Sequence, residues 1–153
     1  MDQLTHTMKK LLILIVALCA TFTLSAQTYK VGDIYDVNGK RGVVFEVSED
    51  GKHGKIIAEK QPVEKMTWHK AMEFGQQLKD GWYIPSYDEF EVLLDRLDVV
   101  GNKLQEVGVK APHFCWSTTE FGADCAWCVS MRTDSKGGFY KGNKFNICIV
   151  SKF

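Results

Sequence analysis

From Tyr29 to Glu59 apolar and polar positions alternate in short runs. Val43, Phe45 and Val47 occupy every second position around Val44 and Glu46, the period of a half-buried strand. Asn38-Gly39 on one side and Asp50-Gly51 with Gly54 on the other are tight-turn signals, and Ile56-Ile57-Ala58 resumes the apolar run. A small antiparallel unit is expected here. The period then lengthens. Trp68, Ala71, Met72, Gly75 and Leu78 fall on one face of a helix, with Thr67 placed as N-cap and Gly81 where a left-handed C-terminal residue is wanted. A second helix is better marked. Ser86 and Glu89 have capping-box spacing, Pro85 and Phe90 suit a hydrophobic staple, and Phe90, Leu93, Leu94 and Leu97 repeat the core spacing. Residues 99–112 are looser, with Leu104 and Val107 between Gly101, Gly108 and Pro112, and predict no more than a short helical turn.

Strand patterning returns over 114–118, 125–132, about 137–141 and 145–152, divided by Gly137-Gly138 and Lys141-Gly142-Asn143. Strands, two helices, then strands predict an α+β class rather than alternating βαβ units. No internal repeat or linker breaks the chain, and 153 residues point to one domain.

The N-terminus is set apart from this pattern. Lys9-Lys10 precedes an unbroken apolar run over 11–18, and Thr-Phe-Thr-Leu-Ser-Ala-Gln follows, the layout of a secretory signal peptide. The run is shorter than the roughly 20 residues a membrane-spanning helix needs. Cleavage is expected after Ala26, which separates a signal peptide, 1–26, from a single domain, 27–153, and leaves no transmembrane anchor. Met8 is an alternative start, and lipidation of Cys19 an alternative fate, disfavoured by the bulky Leu18 before it. The expected destination is the periplasm, the outer-membrane surface or the exterior.

Export changes how the charges and cysteines read. Residues 1–26 carry Lys9, Lys10 and Asp2, so 17 basic and 18 acidic side chains remain. A net charge of −1 offers no electrostatic case for nucleic acid. Cys115, Cys125, Cys128 and Cys148 remain, an even number in an exported chain, for which disulfides are the default, with three possible connectivities. A tight hairpin around 120–123 would set Cys115 opposite Cys128 and Trp116 opposite Trp127. Cys128–Cys148 across neighbouring strands competes with that pairing.

Three segments carry a resemblance. Gly81-Trp82-Tyr83-Ile84-Pro85-Ser86 with Asp88-Glu89-Phe90 resembles a Gly-Trp-x-Leu-Pro-x-x-x-Glu-Leu signature. Cys115-Trp116-Ser117-Thr118-Thr119-Glu120 followed by Ala126-Trp127-Cys128-Val129 resembles Tyr-Trp-Ser-Ser-Thr-Glu followed by Ala-Trp-x-Val. Gly51-Lys52-His53-Gly54-Lys55-Ile56 resembles Gly-x-His-Gly-x-Ile. In this order they are similar to the exported bacterial domain at the C-terminus of the Legionella collagen-like adhesin, over nearly all of 29–153. The resemblance implies a C-type-lectin-like or sulfatase-modifying-factor-like fold, two helices beside twisted antiparallel sheets. For the adhesin it implies binding of sulfated glycans. The family's arginine-bearing last strand is not matched by Ile147-Cys148-Ile149-Val150-Ser151-Lys152, so no role of those arginines carries over.

Several chemistries compete for the conspicuous residues. Trp116 and Trp127 can stack on a sugar ring, though filling a core is the commoner use of such rings. Ser117, Thr118, Thr119 and Glu120 offer sugar-binding oxygens or, more commonly, serve the turn backbone. Arg132, Lys136, Lys141 and Lys144 can meet an anionic glycan or form a solvated surface. Calcium-type sugar binding lacks clustered oxygen ligands, and no metal or cofactor is expected. Cys125-Ala-Trp-Cys128 has redox spacing but lies in a strand pattern, so thiol–disulfide chemistry is only a distant alternative. Zinc at Cys115, Cys125, Cys128 and His113 or Cys148 suffers from having one short-spaced pair. His53 and His69 have no partner of recognisable catalytic spacing. The reading that follows is a non-catalytic exported binding module, not an enzyme. It would recognise a glycan or another surface ligand through the loops 117–124 and 132–144, with Trp116, Ser117, Thr119, Glu120, Arg132 and Lys144 as candidate contacts. The alternative is a structural or assembly protein of the cell envelope that binds another protein.

Overall fold

The structure, a computed structural model, describes residues 27–153. The expected signal peptide and Cys19 lie outside the described residues. Strands β1 (Ile34–Val37), β2 (Lys40–Val47) and β3 (Gly54–Ala58) form the expected antiparallel unit. Asn38 and Gly39 both take positive φ, 53° and 80°, as the tightest hairpin turn requires. Helix α1 (Trp68–Gln77), the short strand β4 (Trp82–Tyr83) and helix α2 (Tyr87–Leu94) follow. Helix α3 (Leu97–Glu106) leads into β5 (Phe114–Glu120), β6 (Cys125–Ser130), β7 (Lys136–Tyr140) and β8 (Val150–Lys152). The chain is therefore α+β, with three helices and two antiparallel sheets among the described residues. One sheet runs β1-β2-β3-β8-β4 and the other β5-β6-β7.

One local signal holds in full, one holds in position only, and two do not. Ser86 Oγ accepts from the Glu89 amide at 3.2 Å while Glu89 Oε2 accepts from the Ser86 amide at 3.0 Å, the full capping box. Thr67 occupies the N-cap of α1 without a side-chain cap bond. Gly81 does not terminate that helix, which ends at Gln77; its φ of 78° belongs to the turn Asp80–Gly81 that opens β4. The expected short turn after Leu97 is instead the ten-residue helix α3, so there are three helices where two were expected. Gly101 lowers its propensity by roughly 1 kcal/mol relative to Ala. Val100 and Leu104, four apart and both buried, outweigh that loss.

Two apolar clusters explain why β5 and β6 are apolar on both faces. One face of the five-stranded sheet, through Val43, Phe45, Ile57 and Val150, meets Phe90 and Leu93 of α2, Val100 and Leu104 of α3, and Cys115 and Val129. The opposite face of β5-β6-β7, through Trp116, Ala126 and Cys128, meets Trp68 and Ala71 of α1 together with Ile84 and Ile147. The three-stranded sheet is thus a middle layer. The segment expected as one strand over 145–152 pairs in a ladder only at 150–152, with single bridges at Phe145 to Met66 and at Asn146 to Cys115. It crosses from one sheet to the other, so no neighbour lasts long enough to build a longer ladder.

Candidate functional site

The β5–β6 hairpin differs from the expected one by one residue. Cys115 lies opposite Val129, and Trp116 opposite Cys128, with a register shift before Glu120↔Ala126. A one-residue slip turns every side chain to the other face. Cys115 therefore enters the first cluster and Cys128 the second, and the expected Cys115–Cys128 and Trp116–Trp127 pairs do not form. Cys148 belongs to the first cluster, its Sγ 3.9 Å from Met131 Sδ, so Cys128–Cys148 does not form either. Cys115, Cys125, Cys128 and Cys148 are all free thiols. Burial pushes the Cys128 thiol up to about 12 and raises Cys115 and Cys148 as well. Cys125, three residues before Cys128 on one strand, points to the opposite face and is half-buried.

The register also decides which tryptophan is available. Trp116 is 0% exposed and donates its indole N–H to Met66 O at 2.9 Å. It offers no face to a ligand. Ser117 is equally buried, its Oγ donating to Trp127 O at 2.9 Å, and Thr119 Oγ1 accepts from the Tyr87 amide at the start of α2. Trp116 and Ser117 thus present no surface to a ligand, and half-buried Thr119 is engaged by the start of α2.

Trp127, on the other face of β6, reaches the surface within an aromatic ledge. Its ring stacks on Tyr87 at 4.2 Å and meets Phe121 edge to face at 4.7 Å. Phe121 is 55% exposed and lies over Gly138, where an added Cβ would come within 2.3 Å of its ring. The missing side chain at Gly138 leaves room for the Phe121 ring against β7. At the rim Lys136 Nζ bonds both carboxylate oxygens of Glu91, at 2.7 and 2.9 Å. That ammonium holds the Glu91 carboxyl below its usual range.

The loop carrying Phe121 is tied from beneath. Lys141, only 7% exposed, bonds Glu120 at 2.5 Å and Ala123 O at 2.7 Å, with its ammonium 4.7 Å from the Trp68 ring centre. Trp68 in turn donates to Ser117 O at 2.9 Å. Glu120 thus holds the loop, while its side chain stays largely exposed.

Arg132 does not join this group. It sits in the turn that follows β6, which ends at Ser130. There its Nε donates to Ala111 O at 2.7 Å, and it lines a separate cleft with Lys110 and Gln105. Lys144 is exposed in the segment after β7. The two expected loops thus meet through Phe121 over Gly138 and through Lys141 with Glu120 and Ala123, while Arg132, at the start of the second, turns away to Ala111. Phe121 and Tyr87 are ledge residues that sequence reasoning missed; Phe121 lies inside the polar loop 117–124, and its single large apolar side chain there was the available signal.

No known family model matches the chain, and no curated protein matches it. Among solved structures it is similar to a chain of a complex between a mutant von Willebrand Factor A1 domain and botrocetin, at 13% identity and a TM-score of 0.40. That match covers 79% of this chain and 97% of the other. A likeness of this degree carries no argument about function.

Proposed function

We propose that this chain is an exported, non-catalytic binding module with a C-type-lectin-like fold, which recognises a glycan or another cell-surface ligand at the Tyr87–Trp127–Phe121 ledge. The observation that carries the reading is an exposed Phe121 held against Trp127 by a loop that a buried lysine fixes in place. A rigid aromatic surface beside a charged pair provides apolar contact and polar direction together, and little ordering cost remains to be met on binding. Trp127, Glu120 and Lys144 stay in this proposal; Trp116, Ser117, Thr119 and Arg132 leave it.

The test is a glycan array probed with the protein and with Phe121→Ala. Array binding that falls about tenfold in the variant, with thermal stability retained, supports the proposal. Unchanged binding by Phe121→Ala removes the ledge as the site. The second reading, an assembly component that binds another protein, draws on Tyr140, 61% exposed on the edge strand β7. An edge strand offers unpaired backbone groups to a partner chain. An empty array, together with a stable stoichiometric complex lost on Tyr140→Lys, would favour that reading.

A further inference from the structure

The five-stranded sheet is curled enough that its β1–β2 hairpin meets β4, although β3 and β8 stand between β2 and β4 in strand order. Lys40, just after the hairpin turn, bonds Ser151 Oγ at 2.8 Å and lies 5.9 Å from the Trp82 ring centre. Ser151, fully buried, donates onward to Gly81 O at 2.9 Å. This contact leaves a cleft of about 330 Å³ on one side and one of about 300 Å³ on the other, and Trp82 with Gly39 lines both.

The polar lining of the larger lobe is pre-assembled. Arg41 Nη1 bonds Asp36 Oδ2 and Arg41 Nε bonds Glu59 Oε2, each at 2.5 Å. A guanidinium has five N–H donors, so more remain than these bonds use. Asp36 Oδ1 and Glu59 Oε1 are bonded to no described residue. Donors and acceptors therefore alternate along one wall, fixed by their own ion pairs. Across the two lobes Asp36, Glu59 and Asp80 balance Lys40, Arg41 and Lys60. An anion would meet three carboxylates there and a cation three basic groups, so net charge selects neither. A vicinal diol answers this pattern, because each hydroxyl both donates and accepts. The apolar C–H face of a sugar ring fits the half-buried indole of Trp82.

We propose that this cleft is a second binding site, for a neutral saccharide that stacks on Trp82 and bridges its hydroxyls to Asp36, Arg41 and Glu59. It shares no residue with the aromatic ledge, so either site stands without the other. The four tryptophans provide the test, since each indole N–H gives its own NMR signal. The indoles of Trp68 and Trp116 are bonded inside the protein and serve as internal controls. The probes are methyl glycosides of glucose, galactose, mannose and N-acetylglucosamine, the matching disaccharides, and a sulfated heparin disaccharide as the anionic comparison. The expected result is a saturable shift of the Trp82 signal with at least one neutral sugar, about tenfold weaker in Arg41→Gln. Arg41 is exposed enough for that variant to fold, and the unshifted Trp68 and Trp116 signals would verify it. No Trp82 shift with any neutral sugar, a shift only with the sulfated probe, or a shift that survives Arg41→Gln would each overturn the proposal. A shift confined to Trp127 would also overturn it while leaving the ledge intact.

Discussion

Glu89 shows how much one side chain can hold. Its carboxylate closes the capping box of α2, accepts from the Tyr83 hydroxyl at 2.7 Å and lies 3.3 Å from Lys55 Nζ. Partial burial works to raise its proton affinity, but the bonds from Tyr83, Ser86 and Lys55 outweigh that and leave it below the usual carboxylate range. A depressed folded-state value means the unfolded chain binds more protons as pH falls. The stabilisation is therefore fully present above the ordinary value, about 4.3, and is lost as pH drops through the lower folded value. Glu89→Gln should lower the melting temperature at neutral pH and flatten its acid-side decline; thermal melts across that range would check both. The cysteines yield a second residue-scale prediction. Of the four described cysteines, iodoacetamide should modify only half-buried Cys125 in the native protein, and all four only after unfolding. Mass spectrometry counts the adducts, and a disulfide would leave fewer than four in the unfolded, unreduced chain.

At the scale of elements, the hairpin loop and helix α1 are coupled through Lys141. The lysine is nearly removed from water as it bonds Ala123 O and the largely exposed Glu120 carboxylate. Lys141→Met should cost about 1–3 kcal/mol in chemical denaturation, because the Ala123 carbonyl and the Glu120 carboxylate lose their donor. Gly138→Ala should behave differently. The new Cβ would strike the Phe121 ring, which is exposed and can swing out, so stability should change little while ledge binding falls. Paired melts and array binding would separate the two effects. The helices show why element-scale reading succeeded unevenly. The capping box of α2 is a local bond between near neighbours, and Ser86 and Glu89 announce it. Helix α3 lacks such a cap, and the apolar surroundings of Val100 and Leu104 favour it despite Gly101.

For the whole molecule, the middle position of β5-β6-β7 sets the largest energies. Trp116→Ala should cost about 3–5 kcal/mol, because a fully buried ring leaves both a cavity and an unpaired Met66 carbonyl. Phe121→Ala should cost under about 1 kcal/mol, since much of its ring already meets solvent. Urea unfolding of the two variants would show whether the core and the ledge divide as described. Both aromatics come from the same conspicuous stretch, and composition alone cannot tell them apart.

The α+β order, the tight turn at Asn38–Gly39 and the cap at Ser86 were legible because each depends on residues a few positions apart. Which tryptophan faces out, whether the cysteines can meet, and where Arg132 lies relative to Glu120 were not. Those depend on a register shift between Trp116 and Glu120, and on which layers cover each face of the middle sheet. A shift of one residue costs little in backbone bonds but exchanges the two faces of a strand. Only the packing on both sides selects between them. Trp82 depends on the longest-range fact, since the curl of a five-stranded sheet brings Lys40 and Arg41 to a residue 41 or more positions away in the chain.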